Sequence, residues 1–387
     1  MRLAVILTHP IQYYTPVFKL ITERNNIELK VLYTLGSQTN NFDPGFKQAI
    51  KWDIPLLEGY KYDFIKNTSP NPGSADFNGI VNPDLIEKVE SFKPDALLIY
   101  GWSYHSHLKI LRYFKGETPI IFRGDSTLLD HQNILKATLR FFLLKWVYSH
   151  IDHALYTGIN NKAYFKKYGI NNEQLVFAPH AIDNERFAYP RIDEAKNLRH
   201  QLGISDDDII ILFAGKLEQK KAPQLLLKAF SRIQKDNVHL LFMGDGELKN
   251  ELIETSKSIA NVHFLGFTNQ LSMPVIYQTC DLFCLPSKGP GETWGLAVNE
   301  AMACGKAILL SDKVGCAADL LKPGMNGAIF KSGDLDDLSD QLINLTESKN
   351  VLQRYGQNSS ELIQDWNFVE IVKSIETLMF TICCKQN

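Results

Sequence analysis

Short apolar runs alternate with longer stretches of helical periodicity along almost the whole chain. This is the signature of parallel sheets assembled from strand-helix-strand units. In the first half the runs predict strands at Leu3–Leu7, Leu29–Tyr33, Ala96–Tyr100, Ile120–Arg123, Ala154–Thr157 and Leu175–Ala178, with helices near 15–24, 104–114, 134–150 and 160–168. The second half predicts strands at Ile209–Ala214, Val238–Met243, Val262–Leu265, Leu282–Leu285, Ala307–Leu310 and Ala328–Phe330, again separated by helices. The expectation is an α/β fold in which one doubly wound sheet follows another.

The segment PHAIDNERFAYPRID separates the two series, because Pro179 and Pro190 bracket a stretch that continues neither sheet. The expected domains are 1–185 and 186–365, and the helical stretch WNFVEIVKSIETLMF within 366–387 is expected to pack back on the first domain. Residues 37–83 hold five prolines and four glycines among repeated Asn and Asp, which predicts long loops rather than further sheet. The stretch ILKATLRFFLLKWVYSHID carries Lys136, Arg140 and Lys145 on a partly aromatic background. It reads as a sheet-covering helix with a basic solvated face, with a membrane-surface helix as the alternative.

Composition narrows the classes of function. The 387 residues are too many for one core, and 45% apolar with 22% charged residues excludes a disordered chain. With 41 basic against 43 acidic residues the chain lacks the positive surplus that nucleic acid requires, so none is expected as a partner. Six cysteines, all from Cys280 onward, show no paired CxxC spacing, so neither a zinc site nor a disulfide framework is expected. The first residues read as a strand rather than a signal peptide, and no run of ~18 apolar residues is free of charge. The expected location is cytoplasmic, with peripheral contact on the inner face of the membrane as the one membrane role in view.

The most informative segment is LPSKGPGETWGLAVNEAMACGKAILLSD. A strand ends at Leu285, a loop of Pro, Gly, Ser and Lys follows, and a helix begins near Gly295. Glu292 then lies before the helix and Glu300 on its second turn, at most ~12 Å apart along a helical path. That reach suits a nucleotide-sugar, with one carboxylate on the sugar, the other on the ribose and the diphosphate at the helix N-terminus. Cations for the diphosphate come from AGKLEQKKAPQ, where Lys216 follows Gly215 at the end of a strand and Lys221 opens the next helix. Open parallel sheets bind ligands at that edge. FMGDGELKNEL places Gly244, Asp245 and Gly246 at the same edge, as a tight turn or a ligand cradle in equal measure.

These residues carry a family resemblance. GKLEQKK, GDGEL, HFLGF, CDLFCLPS and ETWGLAVNE resemble the donor domain of family 4 glycosyltransferases, which are retaining enzymes of the GT-B fold with two doubly wound Rossmann-like domains facing across a cleft. PHAIDNERF is similar to that family's interdomain junction. The likeness is strong over about 175–330 and architectural elsewhere. It implies a metal-independent, retaining hexosyltransferase that takes a nucleotide diphosphate-sugar as co-substrate, needs no cofactor, and serves a glycan or lipid-linked acceptor, with cell-envelope polysaccharide as the family's suggestion. It also implies that Lys216 and Lys221 hold the diphosphate, that Glu292 contacts the sugar and Glu300 the ribose, and that Gly215, Gly244, Gly266, Trp294, Gly295 and Leu296 line the donor site. The chain departs from the family at Lys216, usually arginine, at His180-Ala181, usually Asn-Gly, and in the loop FRGDSTLL, where many members have a histidine.

Something in the first domain must then face the reacting carbon, and Asp125 is the candidate, with Gly124 granting it an unusual backbone conformation. The structural alternative is that Asp125 caps a helix. His9, His105 and His107 are second candidates, each more readily read as a core or surface histidine. The aromatic loops holding Trp52, Tyr60, Tyr62, Trp102 and Tyr104 are the expected acceptor contacts. Two other classes fit less well: a nucleotide-sugar epimerase of the same fold, and a two-lobed sugar-binding protein, which is normally exported.

Overall fold

In the computed structural model, residues 1–36, 42–43, 48–49, 52–130 and 133–386 are described. The chain divides into two units, one drawn from 1–41, 55–180 and 368–387, the other from 42–54 and 181–367. The predicted loop residues at 37–41, 44–47 and 50–51 lie outside the described residues.

The first unit is built on β1 (Arg2–Leu7), β2 (Glu28–Tyr33), β5 (Lys61–Phe64), β6 (Ala96–Tyr100), β7 (Ile120–Arg123), β8 (His153–Tyr156) and β9 (Leu175–Phe177). The short strands β3 (Phe42–Asp43) and β4 (Gln48–Ala49) pair only with each other. The sheet runs β5-β2-β1-β6-β7-β8-β9 with every pairing parallel. The middle strands bury nearly every residue, as a sheet covered on both faces demands. Helices α1 (Thr15–Glu23), α2 (Leu85–Phe92), α3 (His105–Tyr113), α4 (Ile134–Tyr148) and α5 (Ile159–Lys167) cover it. The helix Phe368–Gln386 belongs to this unit and packs on α1, where Arg24 meets Glu376 at 2.9 Å.

The second unit carries β10 (Ile209–Ala214), β11 (Val238–Met243), β12 (Val262–Leu265), β13 (Leu282–Leu285), β14 (Ala307–Ser311) and β15 (Gly327–Phe330), in the order β12-β11-β10-β13-β14-β15, all parallel. In both sheets the order reverses beside the first strand, between β1 and β6 and between β10 and β13. Such a reversal opens a crevice outside the carboxyl ends of the two strands.

Two expectations need correction. Residues 37–83 do contribute to the sheet: β5 pairs with β2 as its edge strand, Lys61 opposite Lys30 through Phe64 opposite Tyr33. KYDF is too short and too polar to stand out from the surrounding loop, and an edge strand needs only one covered face. In α4 the solvated side is apolar as well as basic: Leu135, Leu139, Phe142, Leu143 and Trp146 are exposed beside the exposed Lys136, Arg140 and Lys145, while Leu144, Val147 and Tyr148 are buried. A helix with apolar residues on two opposite sides has no single polar face for its periodicity to reveal.

Candidate functional site

The reversal between β10 and β13 gathers the residues singled out in the sequence. The chain leaves β10 through Gly215 and Lys216, makes a 3-10 turn over Gln219–Lys221 and enters the helix Pro223–Phe230, so Lys221 stands in the turn rather than in the helix. It leaves β13 through Ser287 and the Gly- and Pro-rich loop to reach the helix Leu296–Ala303. Across the gap Lys221 Nζ lies 2.7 Å from Glu292 Oε2, with side chains 16% and 9% exposed. A buried ion pair is stable only when further hydrogen bonds complete it. Here Ser287 supplies one, its hydroxyl donating to the same Oε2 at 2.8 Å. Ser287 is itself fully buried, and its carbonyl accepts from the hydroxyls of Ser311 and Ser332, which fixes the loop beneath Glu292.

Gly295 begins the helix in the left-handed region at φ +95, where a side chain would press on Leu285 and Val314 at 3.1 Å. The first N–H groups of Leu296–Ala303 carry the positive end of the helix dipole, and the third of them, that of Val298, donates to the Gly295 carbonyl at 2.9 Å. Glu300, on the second turn, is 2% exposed and accepts from the Tyr277 hydroxyl at 2.8 Å. Trp294 is turned inward, bonded through Nε1 to Asn299 at 2.9 Å and set against Trp366, so it braces the loop from below. Gly244 has a packing reason of its own: a Cβ there would come within 2.0 Å of the Gly215 carbonyl. Gly266 follows β12 with open space beside it.

The corresponding edge of the first unit holds a cavity of about 190 Å³, lined among others by Tyr14, Tyr100, Tyr104, Arg123, Asp125 and His180. Arg123 is buried and donates to the carbonyls of Ala178 and Pro179 at 3.0 and 2.9 Å, which holds the following His180 in place. His180 Nε2 lies 3.9 Å from Asp125 Oδ2, and its ring stacks at 6.5 Å on Tyr14. Burial first, then the Arg123 charge, hold the His180 imidazole far below its ordinary range, with Asp125 opposing. Asp125 does not cap a helix: α4 begins nine residues later, and its cap is Asn133, whose side chain accepts from Leu135 N at 3.0 Å. Nor does Gly124 adopt a left-handed conformation; the site is tight because a Cβ would meet the Phe122 ring at 3.0 Å.

The remaining sequence candidates separate. His107 is fully buried, bonded to Thr34 Oγ1 at 2.9 Å and to the carbonyls of Tyr100 and Gly101, so it is a core histidine. His9 and His105 are exposed. Tyr60 faces inward and shares a 2.6 Å hydrogen bond with Tyr33, which removes it from the acceptor loops, whereas Tyr104 lines the cavity. Cys280, Cys284 and Cys316 are buried free thiols, and burial pushes that of Cys280 up to about 12. Among the described residues no group of three or more His, Cys, Asp or Glu is arranged to hold a metal ion. Sequence reasoning missed Tyr277, Ser287 and His180 as site residues. Tyr277 and Ser287 act through other side chains and leave no spacing to detect, while His180 was visible only as a departure from the family's junction.

Comparison with known proteins bears on this geometry. Residues 194–362 match the model of glycosyl transferases group 1. An uncharacterised glycosyltransferase of Methanocaldococcus jannaschii is 31% identical over 139 residues, 35% of each chain. A phosphatidyl-myo-inositol mannosyltransferase of Mycobacterium leprae is 26% identical over 217 residues, 54% of this chain and 52% of its own. The chain thus spans about a third to a half of the length of these curated relatives. Among solved structures, Anabaena HepE, determined in complex with UDP and glucose, superimposes with a TM-score of 0.72 at 18% identity, covering 98% of this chain and 100% of that one. The fold is therefore GT-B, and the segment that carries Lys216, Lys221, Glu292 and Glu300 is the one that matches the glycosyl transferases group 1 family.

Proposed function

We propose that the chain is a retaining, metal-independent glycosyltransferase that moves a sugar from a nucleotide diphosphate-sugar to a glycan or lipid-linked acceptor of the cell envelope. The observation that carries the reading is the Lys221–Glu292 pair, a cation and a carboxylate held at the carboxyl ends of β10 and β13. The demanding step is departure of the diphosphate from a sugar that becomes positively charged. Lys216, Lys221 and the N-terminus of Leu296–Ala303 stabilise the negative charge as it develops, which is why no metal is needed in this reading. An arriving diphosphate draws Lys221 from Glu292, whose Oε2 then takes a sugar hydroxyl while Ser287 still orients it. Glu300, steadied by Tyr277, accepts from the ribose.

The first unit takes the acceptor, with Asp125 positioning its hydroxyl or steadying the positive sugar. A lipid-linked acceptor is supported by the name of the mycobacterial relative, which acts on phosphatidyl-myo-inositol. Such an acceptor places the protein in the cytoplasm, at the inner face of the membrane. The test is incubation with labelled nucleotide-sugars, alone and with envelope lipid and glycan extracts, followed by magnetic resonance of the product's anomeric centre. Label entering a lipid or glycan with its configuration kept supports the reading. Conversion of the donor without any acceptor would make the protein an epimerase instead.

A further inference from the structure

Helix α4 has two apolar faces, and only one of them is covered. Leu144, Val147 and Tyr148 pack into the core of the first unit. On the other side Leu135, Leu139 and Phe142 are 71, 68 and 66% exposed, and Leu143 and Trp146 are 46 and 43% exposed. At about 100° per residue these five fall within an arc of about 100° that faces away from the buried three. Lys136 and Lys145 stand at the two margins of that arc, and the Arg112 guanidinium of α3 lies over the Trp146 ring at 5.9 Å. Single exposed apolar residues are ordinary, but a continuous row marks a contact surface.

The charge around the row says what covers it. Helices α3 and α5 flank α4, the first through Arg112 and Trp146, the second through Arg140, which donates to the Tyr164 hydroxyl at 3.1 Å. None of the three helices contains an Asp or Glu, while α3 carries two Lys or Arg, α4 three and α5 three, in a chain whose net charge is -2. We infer that α4 lies in the interface of an anionic lipid bilayer, its outward row among the acyl chains and the flanking cations on headgroup phosphates. Trp, Phe and Leu beside Lys and Arg on one helix is the composition of such an in-plane element. A second copy of this chain is a poorer occupant, because a two-fold contact repeats one patch and would set these cations against their like. The helix does not span: its 15 residues reach ~22 Å against a hydrocarbon core of ~30 Å. The inference needs nothing from the transfer chemistry.

Sedimentation with vesicles of phosphatidylcholine, with and without phosphatidylglycerol, tests it on the full chain. The protein is expected to bind the anionic vesicles ~20-fold or more tightly than the neutral ones. Replacing Leu139, Phe142 and Trp146 together by Gln should weaken that binding ~10-fold or more with the melting temperature unchanged, since these side chains meet solvent. Lys136→Glu with Lys145→Glu should weaken it ~20-fold or more on anionic vesicles alone. In Trp146→Phe the binding should persist while the blue shift of tryptophan emission on vesicle addition disappears. Absence of binding to anionic vesicles would overturn the inference, as would unchanged binding in the triple variant. A dimer in sedimentation velocity that the triple variant dissociates would give the face to a second copy and equally overturn it.

Discussion

The two units reverse their strand order at the same place, and they line the crevice there with different side chains. Beside β10 and β13 the side chains are two lysines and two carboxylates on loops stiffened by glycine, with a helix N-terminus between them. Beside β1 and β6 the lining is tyrosine, one half-exposed aspartate and a buried histidine held by Arg123. Topology fixes where a ligand sits and leaves its nature to the loops. Lysines beside a helix N-terminus suit an anionic leaving group, whereas tyrosine faces with a carboxylate suit a molecule rich in hydroxyls.

The sharpest way to break this contrast is to remove the cation. Lys221→Ala should slow transfer ~100-fold or more at saturating donor, as when a preorganised group aimed at developing charge is lost, and Lys216→Ala should behave similarly. Unchanged turnover of label in both variants would take the phosphate role away from the second unit's edge. The next largest effect separates structure from chemistry in the first unit. Burial pushes His107 down to about 4 from its ordinary 6.5, so between those values the unfolded chain binds a proton that the folded chain refuses. The contribution of His107 to stability is full above pH 6.5 and falls by about 3 kcal/mol as the pH drops to 4; His107→Gln should remove that share of the slope and leave the share of the buried His180. Melting curves across that window read it, and a large loss of turnover in a folded His107→Gln protein would reinstate a histidine as the reacting group.

Asp125→Asn asks the complementary question. It should keep its melting temperature, since Asn133 is the cap, and lose ~10-fold or more of its transfer at saturating donor. A lower melting temperature with near-native turnover would leave the first edge without a catalytic carboxylate. Smaller effects divide the second edge itself. Tyr277→Phe should weaken a bare nucleoside diphosphate ~10-fold in calorimetry, because a charge-assisted hydrogen bond to Glu300 is lost. Glu300→Gln should do likewise, whereas Glu292→Gln should chiefly weaken the sugar-bearing donor. Equal losses on both ligands in the two glutamate variants would erase the division between ribose and sugar.

The second edge was readable because its residues are consecutive. Gly215 to Lys221 and Ser287 to Glu300 are two short segments, and turn residues fix where each strand stops and each helix begins. The first edge draws on Tyr14, Tyr100, Asp125 and His180, four segments that only the sheet brings together. Asp125 was legible as a strand-end carboxylate, but the cap at Asn133 was not, because the apolar residues between the two imitate a helix start. The strands of both cores stood out as apolar runs, and β5 escaped for want of one. Helix α4 was placed correctly with its basic residues in solvent, and the apolar row exposed beside them was not legible, since an apolar run says nothing of which side is covered.

The helix Phe368–Gln386 gives the chain an unusual order of assembly. During synthesis the first unit's sheet, through β9, emerges before any of 181–367, yet one of its covering helices is made only after that entire stretch. Until then α1 keeps an apolar surface open and Arg24 waits for Glu376. Domains ordinarily close in the order in which they are translated. In this chain the second unit has all of its sequence before the first unit has its last helix, so a chain cut at Trp366 retains every residue proposed to hold the donor and leaves the first unit unfinished.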